Sequence, residues 1–208
     1  QVQVYHNSVR AAGTSPALIQ HGGTQAGIVL RNNIFASVGG GFALSADATG
    51  LSSDYNALYT TGRNLIEWTT TNVPYQTLDR WRAAVPTTDP HSFETHPIFA
   101  SATDLTPQSS LLDDTGTPLG VTDDVTGAIR STTTPSIGAL EYAATGEPLA
   151  GTYTLGAGGD YTTFGEAVEA LRRHGVAGAV TFDVAAGTYA EQVVIPSISG
   201  ASAASPIT

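Results

Sequence analysis

The first third of the chain is built from short runs that place apolar side chains on alternate positions. Val2 and Val4 do so, then Ile28 and Leu30, then more weakly the stretch at Leu51. Alternation over four or five residues between turn residues predicts short strands. Each run leads into a similar segment: Tyr5-His6-Asn7-Ser8-Val9, Arg31-Asn32-Asn33-Ile34-Phe35 and Asp54-Tyr55-Asn56-Ala57-Leu58. The shared asparagines, Asn7, Asn33 and Asn56, are spaced by 26 and 23 residues. A strand pattern recurring within about 20–50 residues predicts a solenoid. One circuit of chain cannot bury its apolar face alone, so neighbouring circuits must stack at about 4.8 Å. Two roles are expected of the aligned asparagines. The residue type tolerates left-handed backbone at a turn. Its carboxamide also donates to and accepts from the asparagine of the next circuit, forming a structural ladder.

After Tyr59 the pattern fades. Thr77 to Val85 reads as a short helix, with Thr77 as its cap, Asp79 in its first turn and Leu78, Trp81 and Val85 on one face. Pro86 stops it. Such a helix would shield the open edge of a stack. Residues 104–142 are rich in Asp, Gly, Thr and Pro, and residues 143–151 read as a linker. A second pattern follows. Tyr153 and Leu155 lead to a glycine turn, Gly156-Ala-Gly-Gly-Asp160, and then to a helix. Thr163 and Glu166 are spaced as a capping box, Phe164, Ala167, Val168 and Leu171 share a face, and Gly175 follows Arg172, Arg173 and His174 as the C-terminal cap. Val180, Phe182 and Val184 alternate as a strand, and Val193 and Ile195 predict another. The sequence opens and stops within apparent strands, at Val2–Tyr5 and Pro206–Thr208. It therefore reads as a segment of a longer chain.

Composition narrows the function classes. A net charge of −10 repels nucleic acid and anionic membranes. No stretch approaches the roughly 20 apolar residues of a membrane span. There is no cysteine, hence no disulfide framework and no thiolate metal site. All eight basic residues are arginine.

Candidate chemistry is sparse. His6 has no partner in sequence for catalysis or metal binding. Trp81, on the apolar stripe of a short helix, reads as core rather than as a sugar platform. Asp113-Asp114 and Asp123-Asp124 are oxygen-rich pairs of the kind calcium favours, but match no EF-hand spacing and read as solvated loops. Gly156-Ala-Gly-Gly lacks the spacing of a dinucleotide loop. No nucleophile–base pair or acid pair can be assigned, so no catalytic, cofactor-binding or metal-binding residue is expected.

Leu30-Arg-Asn-Asn-Ile-Phe-Ala36, Ser53-Asp-Tyr-Asn-Ala-Leu-Tyr59, Ala100-Ser-Ala-Thr-Asp-Leu105, Gly120-Val-Thr-Asp-Asp124 and Pro135-Ser-Ile-Gly-Ala-Leu-Glu-Tyr142 resemble the closing coils of right-handed β-helix repeat proteins of the Bacteroidetes type. That family usually has Asp where Ser136 stands. The resemblance implies a large exported or cell-surface protein. Gly159-Asp-Tyr-Thr-Thr-Phe-Gly-Glu-Ala-Val168 and Ala186-Gly-Thr-Tyr-Ala-Glu-Gln-Val-Val-Ile195 are similar to the N-terminal cap of the pectinesterase-like β-helix superfamily. The catalytic carboxylates of that superfamily lie on later coils, so none carries over. The expectation is a mostly-β chain, a right-handed parallel β-helix with short capping helices. Residues 1–142 would be the last coils and cap of one solenoid, 143–151 a linker and 152–208 the cap helix and first coil of a second. The expected role is a structural module of a secreted or cell-surface fibre, stalk or adhesin, joined through solenoid ends to tandem neighbours or to other subunits. Two alternatives stand beside it: part of a polysaccharide-acting enzyme with its catalytic coils elsewhere, and a carbohydrate-binding module using Tyr55, Tyr59 or Trp68.

Overall fold

The computed structural model describes residues 2–20, 27–47, 50–144, 146–195 and 198–208. The chain divides into two compact units. The first comprises residues 1–108 and 112–144, and the second residues 109–111 and 145–208.

In the first unit the chain makes three circuits through the same three positions. The first circuit runs through β1 (Val2–Tyr5), β2 (Ser8–Ala11) and β3 (Leu18–Gln20). The second runs through β4 (Ile28–Arg31), β5 (Ile34–Ser37) and β6 (Leu44–Ala46), and the third through β7 (Leu51–Asp54), β8 (Ala57–Thr60) and β9 (Ile66–Trp68). Strands at like positions pair in parallel, so β1, β4 and β7 form one sheet. A second sheet holds β2, β5 and β8, and a third β3, β6 and β9. Most strands thus lie in parallel sheets, and among the described residues no sheet closes into a barrel.

The register follows the apolar pattern. Val4, Leu30, Phe35, Leu44, Leu58 and Ile66 share one core. Strand β5 is buried on both faces. Phe35 joins that core, while Ile34 packs with Ala57, Leu112 and Ile137 beneath the later segment. Covering both faces explains the unbroken apolar run Ile34-Phe35-Ala36.

The far end of the stack is closed. The strand β10 (Val73–Tyr75) turns back antiparallel to β9. The helix α1 (Leu78–Ala84) follows, with Thr77 accepting from the Arg80 N–H. Its Leu78 and Trp81 are buried in the main core. A two-residue strand, β11 (Phe93–Glu94), then pairs in parallel with β8. The repeat therefore outlasts Tyr59, where the sequence pattern fades, because the inserted helix separates its last rung from the others. At the near end β1, β2 and β3 pair on one side only among the described residues.

In the second unit β12 (Leu149–Leu155) pairs in parallel with β13 (Val176–Val184), joined through α2 (Phe164–His174). Leu149, Leu171, Val176, Val180 and Ile198 form its core. Two expectations are corrected here. The supposed linker already contains strand, because Leu149 is buried and its N–H donates to the Gly175 carbonyl. Val193 to Ile195 form no strand, and their exposures are 42, 70 and 58%. The edge of β13 is taken instead by Pro206–Thr208, through Val180 N–H to the Pro206 carbonyl and Phe182 N–H to the Thr208 carbonyl, each 2.9 Å.

Candidate functional site

The densest polar arrangement on the stacked strands lies at the turn between the first and second sheets. Asn33 Oδ1 accepts from both the backbone N–H and the carboxamide of Asn7, each at 3.0 Å. Asn56 Oδ1 accepts the same pair from Asn33, each at 2.9 Å. The second carboxamide hydrogen of Asn33 goes to the Val4 carbonyl, one rung back, and those of Asn56 go to the Leu30 carbonyl and to Ser53 Oγ. Asn33 and Asn56 are fully buried, so each carboxamide satisfies backbone groups that the turn would otherwise orphan.

The direction is consistent: each rung donates to the oxygen of the next. The last acceptor is a hydroxyl, with the Asn56 N–H donating to Ser92 Oγ at 2.9 Å. Ser92 Oγ in turn donates to Asp89 Oδ1 at 2.7 Å. The buried Asp89 carboxylate also accepts from Ser53 Oγ and from the indole N–H of Trp81. The row of amides therefore ends on a carboxylate that also holds the capping helix. Ser92, 36 residues beyond Asn56, is not visible as a repeat position, because spacing and residue type change together.

The left-handed backbone falls one residue before each asparagine, at His6, Asn32 and Tyr55, with φ of 53, 55 and 54°. The ladder asparagines themselves do not adopt it, which corrects the first expected role. Asn32 Nδ2 donates to His6 Nε2 at 3.0 Å and to the Thr117 carbonyl, while Asn32 Oδ1 accepts from the Thr117 N–H. The Gly138 N–H donates to the Asn32 carbonyl, and the Ala139 N–H to Ser8 Oγ. Thus the segment after Leu112 is sewn onto this column. Burial, with the nearby Arg130 charge adding to it, pushes the His6 imidazole down to about 4. The neutral ring is the form that can accept the Asn32 amide.

Arg130 is 3% exposed and donates to Glu141 and to the Ser136 and Gly138 carbonyls. One acid of each pair is engaged in the same closing segment. Asp113 accepts from Ser136 Oγ and the Ala144 N–H. Asp124 accepts from Thr126, Ala128 and Glu141. Burial raises the Asp124 pKa, but these hydrogen bonds outweigh it and hold the carboxyl well below its usual range. Among the described residues no group of three His, Asp or Glu side chains is placed to hold a metal ion.

Further along the column, His91 Nδ1 lies 2.8 Å from Asp54 Oδ2, and its ring stacks on Tyr55 at 4.7 Å. A carboxylate-oriented imidazole is half of a nucleophile-activating constellation. No hydroxyl among the described residues bonds to its other nitrogen. Trp81 is fully buried, so it cannot serve as a sugar platform. Tyr59 meets His96 edge-on, and Trp68 packs against Trp81 and Tyr75.

In the second unit, Thr163 Oγ1 accepts from the Glu166 N–H at 3.1 Å. Glu166 does not complete a reciprocal box, because its carboxylate accepts from Thr162 instead. The first turn of α2 is met by Glu191, which accepts from the N–H groups of Phe164 and Gly165. Gly175 caps the other end at φ 66°, its N–H donating to the Leu171 carbonyl. A cleft of about 370 Å³ beside the glycine turn is lined by Thr154 to Gly159 and by Asp183 to Ala185. The turn uses its own amides, Gly156 to Tyr161 and Gly159 to Gly156, and Asp183 brings an acid to the wall. That is a poor setting for an anion.

No family model matches the chain, and no curated protein or solved structure matches it. Among the described residues no helix is long and apolar enough to cross a membrane.

Proposed function

We propose that this chain is a structural module of a large secreted or cell-surface protein, a fibre, stalk or adhesin, whose stacked strands belong to a right-handed parallel β-helix. The observation that carries the reading is the use of the polar corner. Its asparagines, Ser92 and Asp89 bond to one another, to the backbone and to Trp81. A catalytic site instead presents convergent polar groups to an empty volume. The asymmetry of the ends adds support: one is closed by α1, β10 and β11, while among the described residues the other has strand pairing on one side only. Continuation of the stack through its open end, in tandem or between subunits, fits that asymmetry. An acidic chain of this kind has no attraction for nucleic acid.

The test is turnover. Purified chain incubated with acidic and neutral polysaccharides should release no new reducing ends, unsaturated products or methanol. Turnover that is lost on replacing His91 or Asp54 would overturn the structural reading. A second reading, polysaccharide binding, rests on the Tyr55–His91 stack, since the His91 side chain is 59% exposed. Retardation in polysaccharide-loaded gels, abolished by His91→Ala with Tyr55→Ala, would favour it.

A further inference from the structure

The open end of the first unit has a defined chemical demand. Asn7 donates its backbone N–H and carboxamide to Asn33 and Tyr5, and its Oδ1 accepts nothing among the described residues. The equivalent oxygens of Asn33 and Asn56 each accept two N–H groups from the preceding rung. The backbone shows the same want. Val2 and His6 direct their N–H groups to the second circuit. By strand alternation Gln3 and Tyr5 direct theirs to the open side. Val2 and Ile19 are each half exposed there, and a Cβ built on Gly13 meets nothing within 4 Å.

We infer that this end is a docking surface for one further parallel strand–turn–strand rung whose turn carries an asparagine, and that this asparagine sets the register by donating to Asn7 Oδ1. The inference rests on the structural reading above and names the partner it requires. The rung-to-rung contact occurs twice within this chain, so the surface continues an interface already built. A second copy does not satisfy it. Head to head, two copies would set Asn7 Oδ1 against Asn7 Oδ1, acceptor against acceptor. The far end of a copy is closed by Trp81 and Ser92. Residues 145–208 of a copy contain no asparagine at all.

The experiment places a duplicate of the first circuit, residues 2–27, directly before Val2 in the full chain, so that the new junction repeats the natural one between Gly27 and Ile28. A second extended chain carries Ala for the duplicated asparagine, and a third uses a duplicate of residues 28–50. Amide exchange at Gln3 and Tyr5 is the readout. Exchange slowed about tenfold or more in the first or third chain, and relaxed towards the parent rate in the Ala version, is expected. Parent-like exchange in both extended chains would overturn the inference. So would concentration-dependent dimerisation of the parent chain that protects the same amides, because a second copy would then be the occupant. Failure here leaves the turnover test untouched, so the two readings fall separately.

Discussion

Replacing Asn33 by alanine should destabilise the first unit by several kcal/mol. The side chain is fully buried and makes four hydrogen bonds: two accepted from Asn7 and one donated to each of Asn56 Oδ1 and the Val4 carbonyl. Alanine leaves the Asn7 N–H and the Val4 carbonyl without these partners, while Asn56 Oδ1 keeps the Asn33 N–H. Each such bond contributes about 0.5–1.5 kcal/mol net, so the loss of four gives about 2–6 kcal/mol. Asn7→Ala should cost clearly less, because Asn7 is exposed and water replaces its partners. Both tryptophans, Trp68 and Trp81, lie in the first unit, so fluorescence during urea unfolding reports that unit alone. A change of under about 0.5 kcal/mol for Asn33→Ala, or equal losses at Asn7 and Asn33, would refute a cooperative ladder.

Acid should weaken the same unit through His6. Its folded pKa is depressed, so its contribution is present above about 6.5 and is lost as pH falls towards about 4, where the folded ring also protonates. The full effect is on the order of 3 kcal/mol. His6→Asn, which suits the left-handed backbone, should flatten stability over that window in urea titrations at several pH values. Asp89→Ala strands the buried donors of Ser53, Ser92 and Trp81, each at about 1–3 kcal/mol, so a loss of at least about 3 kcal/mol is expected by the same fluorescence assay. Gly41→Ala would press a Cβ against the carbonyl oxygens of Thr14 and Ser15 in the rung below, and should lower stability by about 1–3 kcal/mol.

Much of the fold could be read from the sequence, because a parallel stack repeats its demands at every circuit. The spacing of Asn7, Asn33 and Asn56 and the apolar positions beside them announce aligned rungs. Local chemistry likewise announced the Thr77 and Thr163 helix caps and the Gly175 stop. What stayed hidden depends on contacts distant in sequence. Ser92 replaces asparagine as the last acceptor only because α1 intervenes and Asp89 stands behind it. Arg130 and Glu141 look like loop charges until the closing segment folds over the His6–Asn32 column. Glu191 lies 27 residues from the helix start that it caps. The strand expected at Val193–Ile195 failed because alternation says nothing about competition, and Pro206–Thr208 holds the edge of β13.

The most direct test of a stack held by its polar corner is native-state amide exchange resolved at Asn33 and Asn56. Their N–H groups are buried and donate to Asn56 Oδ1 and Ser92 Oγ. They should exchange only with global unfolding of the first unit, at the free energy measured by tryptophan fluorescence, while Gln3 and Tyr5 exchange far faster. Exchange at Asn33 and Asn56 as fast as at Gln3 would mean that the corner opens locally and does not hold the stack together.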